Sequence, residues 1–453
     1  MTISPEMKQR PFAYSDVYRH PVLPAAAFDH ETAKIKAEIP AEIATVCKNE
    51  SNCTIFLNDG TWFTTWSQGS FEHAKDERIV FATSRDEGLT WSAPQTIVPS
   101  TPTERNAYGV PFVIPAKDRI YLFFFSCRQD VPWESPEHDA GNLYFVFSDN
   151  NGTTWSDRTR IDLPDRDMAI FPGRFHGWVN HPPQIMPEGD VILPIAQCNW
   201  LLTRRSWMLN PAEVSVVRCN NILTEQDPKR LTFTLLPEGP RGIRVDVLRH
   251  GNNPALQRLL AFHNGTPEQS AFNFQEMTVV PLQDGRWLGV GRTFLGSPGY
   301  TVSQDRGRTW TSVEPLCYSP GGKPIPHPMT MCPIARTSDG RIILLFTNND
   351  GSQRGARHVW DGNGRTRNPQ WMVVGRQIPG ETRNAGLVFG KPMVLAEVDD
   401  SGDTNLKTGV AMPQFIERNG RFFVCYCVNK EHILLDEVPR VLIDRLTPDI
   451  SKI

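Results

Sequence analysis

The chain has 453 residues, a formal charge of −3 at pH 7, 38 Pro and 33 Gly, and its aromatics include 24 Phe and 12 Trp. No global basic field points to nucleic acid, and no run of about 18 apolar residues offers a membrane-spanning helix. Frequent turn residues among many aromatics suit short strands joined by loops.

In chain order, residues 1–10 are polar and carry no apolar signal core. Cytoplasm is therefore the default expectation, and secretion would require a leader already removed. Residues 1–37 read as an N-terminal extension. Cys47 and Cys53 flank the polar stretch 48–52, which reads as a turn whose ends could be bridged in an oxidising compartment. The other Cys are scattered without metal-type pairs and read as buried thiols.

From there six segments repeat one pattern: an apolar run, a tight polar turn and a second apolar run. The turns are Asn58-Asp59-Gly60, Lys117-Asp118-Arg119, Pro187-Glu188-Gly189, Gln283-Asp284-Gly285, Ser338-Asp339-Gly340 and Arg418-Asn419-Gly420. Asp-Gly and Asn-Gly supply the positive φ of tight hairpins. The runs that follow, such as Ile120-Tyr121-Leu122-Phe123-Phe124-Phe125, are β-branched and aromatic and read as strands. The pattern predicts an all-β chain, a six-bladed β-propeller over residues 38–435, with 436–453 returning to close the ring. Blades fall near 38–100, 104–165, 174–238, 239–318, 325–398 and 406–435. The piece 239–272 is ambiguous and leaves seven blades as the alternative.

A second repeat lies over the first. Residues 84–91, 148–155 and 303–310 share S-x-D-x-G-x-T-W, with Asn150 in place of Asp in the middle copy. Asp accepts amide hydrogen bonds across the turn, Gly takes a positive φ, and Trp packs between sheets. This motif resembles the Asp box (BNR repeat) of the sialidase superfamily, over roughly residues 38–435. The resemblance implies a propeller whose inner-strand ends face a central pocket, with the Asp boxes structural and at the rim.

Carried over position by position, the resemblance implies that Glu276 and Arg292 of blade four match the family's Glu and one of its carboxylate-binding Arg. Arg367, ahead of the strand beginning near Trp371, resembles a second. The chain then departs. The family's first Arg falls in Glu38-Ile39-Pro40, its second blade-one Arg near Gln68, and its acid/base Asp at or beside His73. Val410-Ala411-Met412-Pro413 stands where the nucleophilic Tyr should precede the last inner strand, and Tyr426 lies at the wrong end of that hairpin.

The remaining residues suit another chemistry. Arg neutralises a uronate carboxylate and stabilises the enediolate. Neutral His removes the α-proton and later returns it. That is the β-elimination of polysaccharide lyases, and the resemblance to rhamnose–glucuronate lyases rests on architecture and a blade-one His. The expected catalytic residues are His73, His181 and Glu276, and the expected substrate-binding residues are Arg128, Arg292, Arg367, Gln68, Trp178 and Asn180. The bland readings are a solvated His73, a His181 bonded to a backbone carbonyl, a core Trp178, an Arg128 paired with Asp130 or Glu134, and Glu276 paired with Arg292.

The leading expectation is an enzyme cleaving a terminal sugar beside an acidic one. A sialidase-like exo-glycoside hydrolase and a non-catalytic glycan-binding propeller remain open alternatives. The expected partner is an acidic oligosaccharide or glycan, with neither nucleic acid nor membrane. No metal or cofactor motif is present, although calcium on the propeller axis needs no sequence signature.

Overall fold

The computed structural model describes residues 7–19, 28–29, 34–35, 48–70, 74–115, 117–132, 135, 137–138, 140–170, 172–199, 211–263, 273–350, 367–399 and 409–452. Beside a two-stranded ribbon of Phe28–Asp29 and Lys34–Ile35, their strands form six antiparallel sheets arranged as the blades of a propeller. From the axis outward, blade one is Lys48–Phe56, Trp62–Gly69, Arg78–Ser84 and Gln95–Val98. Blade two is Glu104–Val113, Ile120–Arg128, Gly141–Ser148 and Thr159–Arg160. Blade three splits its inner strand into His176–Trp178 and Gln184–Ile185, followed by Val191–Cys198, Ala212–Cys219 and Phe233–Leu236. Blade four is Phe274–Pro281, Trp287–Thr293, Gly299–Ser303 and Glu314–Pro315. Blade five starts with Ile334–Arg336, Ile342–Phe346 and Gln370–Gln377, and Met393–Val398 pairs with Met7–Gln9 outside them. Blade six is Val410–Arg418, Arg421–Val428, His432–Val438 and Ala13–Tyr18.

Every hairpin turn read from the sequence joins an inner strand to a second strand. The second strands are continuous apolar runs because both of their faces are covered. Ile120, Leu122 and Phe124 pack toward blade one, while Tyr121, Phe123 and Phe125 pack toward blade three. Alternate side chains point to opposite faces of a strand, so one strand supplies two seams. The core is accordingly six apolar clusters, one in each seam between adjacent blades. Each fully buried Phe there contributes about 1.5–3 kcal/mol.

The Asp boxes brace the hairpin between third and outer strands. In the first, Asp86 accepts from the Thr90 amide at 2.9 Å and the Thr90 hydroxyl at 2.6 Å, and Ser84 Oγ accepts from the Gly88 amide at 2.9 Å. The third copy repeats these bonds at Asp305, Thr309, Ser303 and Gly307. Gly307 has φ +84°, and a Cβ there would lie 3.1 Å from the Trp287 ring. Gly307→Ala is expected to cost about 1–3 kcal/mol in urea unfolding. A cost near zero would show that the brace yields.

Three expectations change. The ring is closed by the N-terminal segment, because strand Ala13–Tyr18 pairs with His432–Val438. Arg10 bonds the buried Asp436 at 2.7 Å, and Tyr426 donates to the other oxygen of that carboxylate at 2.9 Å. Of the C-terminal segment, Asp436–Val438 complete the strand that receives Ala13–Tyr18, and helix Arg440–Leu446 buries Ile443 in the seam of blades five and six. The described part of 239–272 holds helix Pro254–His263, not strands of a seventh blade. Asn253 caps it, its Oδ1 accepting from the amides of Ala255 and Leu256, with Pro254 opening the first turn. Finally, 48–52 is strand rather than turn, and Cys53 is a buried free thiol bonded through Sγ–H to the Asn180 carbonyl. Cys47 lies outside the described residues.

Candidate functional site

Inner strands begin and second strands end at one face of the ring, and the polar residues of the axis gather there. Four inner strands carry a bulge at the same level, with one non-glycine residue in the left-handed region: Ser51 (φ +57°), Tyr108 (φ +58°), Glu276 (φ +51°) and Met412 (φ +52°). The ladder register slips at each of these points. Bulges re-aim side chains and cluster beside active sites, and each strained residue costs about 1–3 kcal/mol.

From these bulges a ring of polar groups runs around the axis. Glu276 accepts from Asn180 Nδ2 at 3.0 Å on one oxygen and from Arg292 Nη1 at 3.1 Å on the other. The backbone carbonyl of Asn180 accepts from Cys53 Sγ, which links blade three to blade one. On the other side, Arg292 and Arg367 both act on His327. Its Nε2–H donates to the Thr330 carbonyl at 3.0 Å, and Nδ1 accepts from the Thr347 amide at 3.3 Å. Burial, with help from the two guanidinium groups, lowers its pKa to about 3, so it is neutral. Arg367 in turn shares the surroundings of Cys427 with Lys430 and Glu50, and the burial of Cys427 itself pushes its thiol up to about 12. Lys430 Nζ then pairs with Glu50 Oε2 at 2.7 Å, closing the ring at blade one.

Of the five charged groups named, three are cations and two carboxylates, which leaves one positive charge in excess. All five are buried, from 1% exposed at Glu50 to 9% at Arg367 and Glu276. Arg292 Nε and Asn180 Oδ1 of this ring, and Nε2 of the following residue His181, are buried without a hydrogen-bond partner. Burial alone lowers the His181 pKa to about 3.

The structure therefore brings Asn180, Glu276 and Arg292 into direct contact and sets Arg367 in the same ring. Gln68 is buried beside it, donating to Asn49 Oδ1 at 2.9 Å and accepting from Arg78 at 2.9 Å. Trp178 packs on the seam of blades two and three and meets His176 edge to face. Asp130 and Glu137 take the guanidinium of Arg128, in keeping with the salt-bridge reading; Glu134 lies outside the described residues. Arg105, at the start of blade two, is locked in a buried pair with Glu77 at 2.7 Å. His73 and Glu72 lie outside the described residues, between Ser70 and Asp76, which bond each other at 2.8 Å.

Tyr426 is fully buried between blade faces, and Met412 holds in blade six the bulge that Glu276 holds in blade four. Glu38-Ile39-Pro40 lies outside the described residues, and the described inner strand of blade one, Lys48–Phe56, runs through the stretch that the sequence reading takes as a turn. Glu50 was missed for that reason. The signal was present: Lys48-Asn49-Glu50-Ser51-Asn52 is a polar run where an inner strand should alternate. Among the described residues no group of three or more His, Cys, Asp or Glu converges as a metal site.

Residues 60–217 match the family of the BNR repeat-like domain. No curated protein sequence matches the chain. Among solved structures, the Hadza microbial sialidase Hz136 aligns with TM-score 0.54 and 14% identity over 87% of this chain and 66% of its own. The intramolecular trans-sialidase of Ruminococcus gnavus aligns with TM-score 0.54 and 12% identity over 88% and 96%. The NanB sialidase of Streptococcus pneumoniae aligns with TM-score 0.54 and 11% identity over 87% and 69%. At these identities the likeness shows the fold, a six-bladed propeller of the sialidase kind.

Proposed function

We propose that this BNR-repeat propeller of sialidase type is a carbohydrate-active enzyme cleaving a glycan beside an acidic, uronic sugar, by β-elimination. The observation that carries the reading is the axial ring with one positive charge in excess and Met412 where a hydrolytic tyrosine would stand. Arg292 and Arg367 receive the carboxylate, and an Arg beside it stabilises the enediolate formed when the α-proton leaves. The electron pair released expels the glycosidic oxygen at the β-carbon, which leaves a double bond in the uronate. The base is a histidine, His73 or His181. His181 is kept neutral by burial, and a carboxylate bound nearby raises its affinity for the proton.

A second reading, hydrolysis, is favoured by one contact pair. Asn180 and Arg292 hold both oxygens of Glu276, the arrangement of a charged nucleophile or base. The products separate the two. Elimination yields an ultraviolet-absorbing unsaturated uronate one water lighter than the hydrolysis product. Incubation with glucuronate-containing glycans should give that species by absorbance and mass. A saturated sugar, or free sialic acid from a sialoside, would overturn elimination. Single alanine variants of His73 and His181 identify the base: its loss should lower kcat by about 10²–10⁴-fold.

A further inference from the structure

The polar atoms of the ring are sorted by sign. The side of blades four and five offers donors, including the unpartnered Arg292 Nε. Blades one and three offer acceptors. Glu50 Oε1, Ser51 Oγ, Asn52 Oδ1 and Asn180 Oδ1 are all buried and without a hydrogen-bond partner. Glu50, Ser51 and Asn52 are at most 2% exposed, and Asn180 is 6%. Three of the four are consecutive on the bulge of blade one, and the strand carrying them touches Asn180 through Cys53. Acceptors buried without donors are rare in folded proteins and each is costly, so four together mark groups that a ligand completes.

The chemistry of that ligand follows from what is already there. Asn52 uses its own donor on Cys425 Sγ at 3.3 Å, leaving its carbonyl open. Lys430 Nζ, 2.7 Å from Glu50 Oε2, already supplies the positive charge this corner needs. A metal cation or an amine placed among the same oxygens would meet Lys430 as a like charge. Neutral donors fit: the hydroxyl groups of a sugar.

We propose that the blade-one bulge, Glu50-Ser51-Asn52, with Asn180, is the hydroxyl-recognising half of the site. It accepts from the hydroxyl groups of the same sugar whose carboxylate faces Arg292 and Arg367. The orientation rests on the carboxylate reading above; recognition of hydroxyl groups does not. A sugar is then held across the axis, acid toward blades four and five and polyol edge toward blades one and three.

Calorimetry on the full chain tests this with methyl glucuronide, methyl glucoside and acetate as probes. Ser51→Gly removes one acceptor while suiting the left-handed backbone, and Asn52→Ala removes another. Each should weaken both glycosides about 3–10-fold, the worth of one hydrogen bond, and leave acetate unchanged. Ser51→Gly should also raise the urea midpoint, so weaker binding cannot be laid to a damaged fold. Unchanged glycoside affinity in both variants overturns the proposal, as does no saturable binding of either glycoside to the native chain. Saturable binding of calcium chloride alone, lost in Glu50→Gln, also overturns it by making the acceptors a cation site. Arg367→Met tests the other half separately. If it weakens neither acetate nor the glucuronide, the carboxylate assignment fails while hydroxyl recognition stands.

Discussion

Arg292→Met is expected to destabilise the chain by about 3–5 kcal/mol in urea unfolding at pH 7. Arg292 and Glu276 face each other at 3.1 Å with side chains only 10% and 5% exposed. Removing the cation leaves a buried carboxylate with Asn180 as its one bonded donor. The cost is mostly that of the stranded charge, so neutralising the partner should recover it. Glu276→Gln combined with Arg292→Met should be markedly more stable than Arg292→Met alone, with a coupling of about 2–3 kcal/mol in the double-mutant cycle. Activity should not follow stability. The double variant lacks a carboxylate-binding donor and should remain about 10²–10³-fold slower on glucuronate-containing glycans. Additive stabilities would mean that the pair does not hold the bulge. Recovered activity would remove Arg292 from substrate binding.

The fold was legible because the signals behind it are local and repeated. Hairpin turns need a positive φ, which Gly60, Gly189, Gly285, Gly340 and Gly420 all adopt, and Asp boxes close on themselves within eight residues. Ring closure was not legible, since pairing of Ala13–Tyr18 with His432–Val438 joins the two ends of the chain and neither end names its partner. Glu276, Arg292 and Arg367 could be placed near one another from the sequence because blade position determines where each strand end falls. The pairing of Arg128 could not be decided in advance, because sequence locates the end of a strand but not the direction of a long side chain with two carboxylates in reach. Glu50 and the contact of Asn180 with Glu276 depend on the bulges of blades one and four, where one extra residue shifts every side chain that follows to the other face. A polar run signals such a bulge without saying which of its residues turns inward.

Acid should loosen the native chain well before its carboxylates titrate. An unfolded histidine titrates near pH 6.5, whereas burial lowers His181 and His327 to about 3. Above pH 6.5 both states leave them neutral and their contribution to stability is fully present. As pH falls, the unfolded chain takes up protons that the native chain refuses, and that stability is lost progressively down to about pH 3. Each histidine should remove about 2 kcal/mol between pH 7 and pH 5 by linkage. Asp436 and Glu213, raised by burial, act in the opposite sense, since the native chain protonates them first. Comparing His181→Gln and His327→Gln with the native chain removes that background, because the carboxylates are common to all three. Each variant should show a stability–pH slope shallower by up to about 1.4 kcal/mol per pH unit below pH 6. Parallel slopes for His181→Gln would mean that the native site admits a proton to this ring. His181 would then be charged, and unable to act as a base, below pH 6.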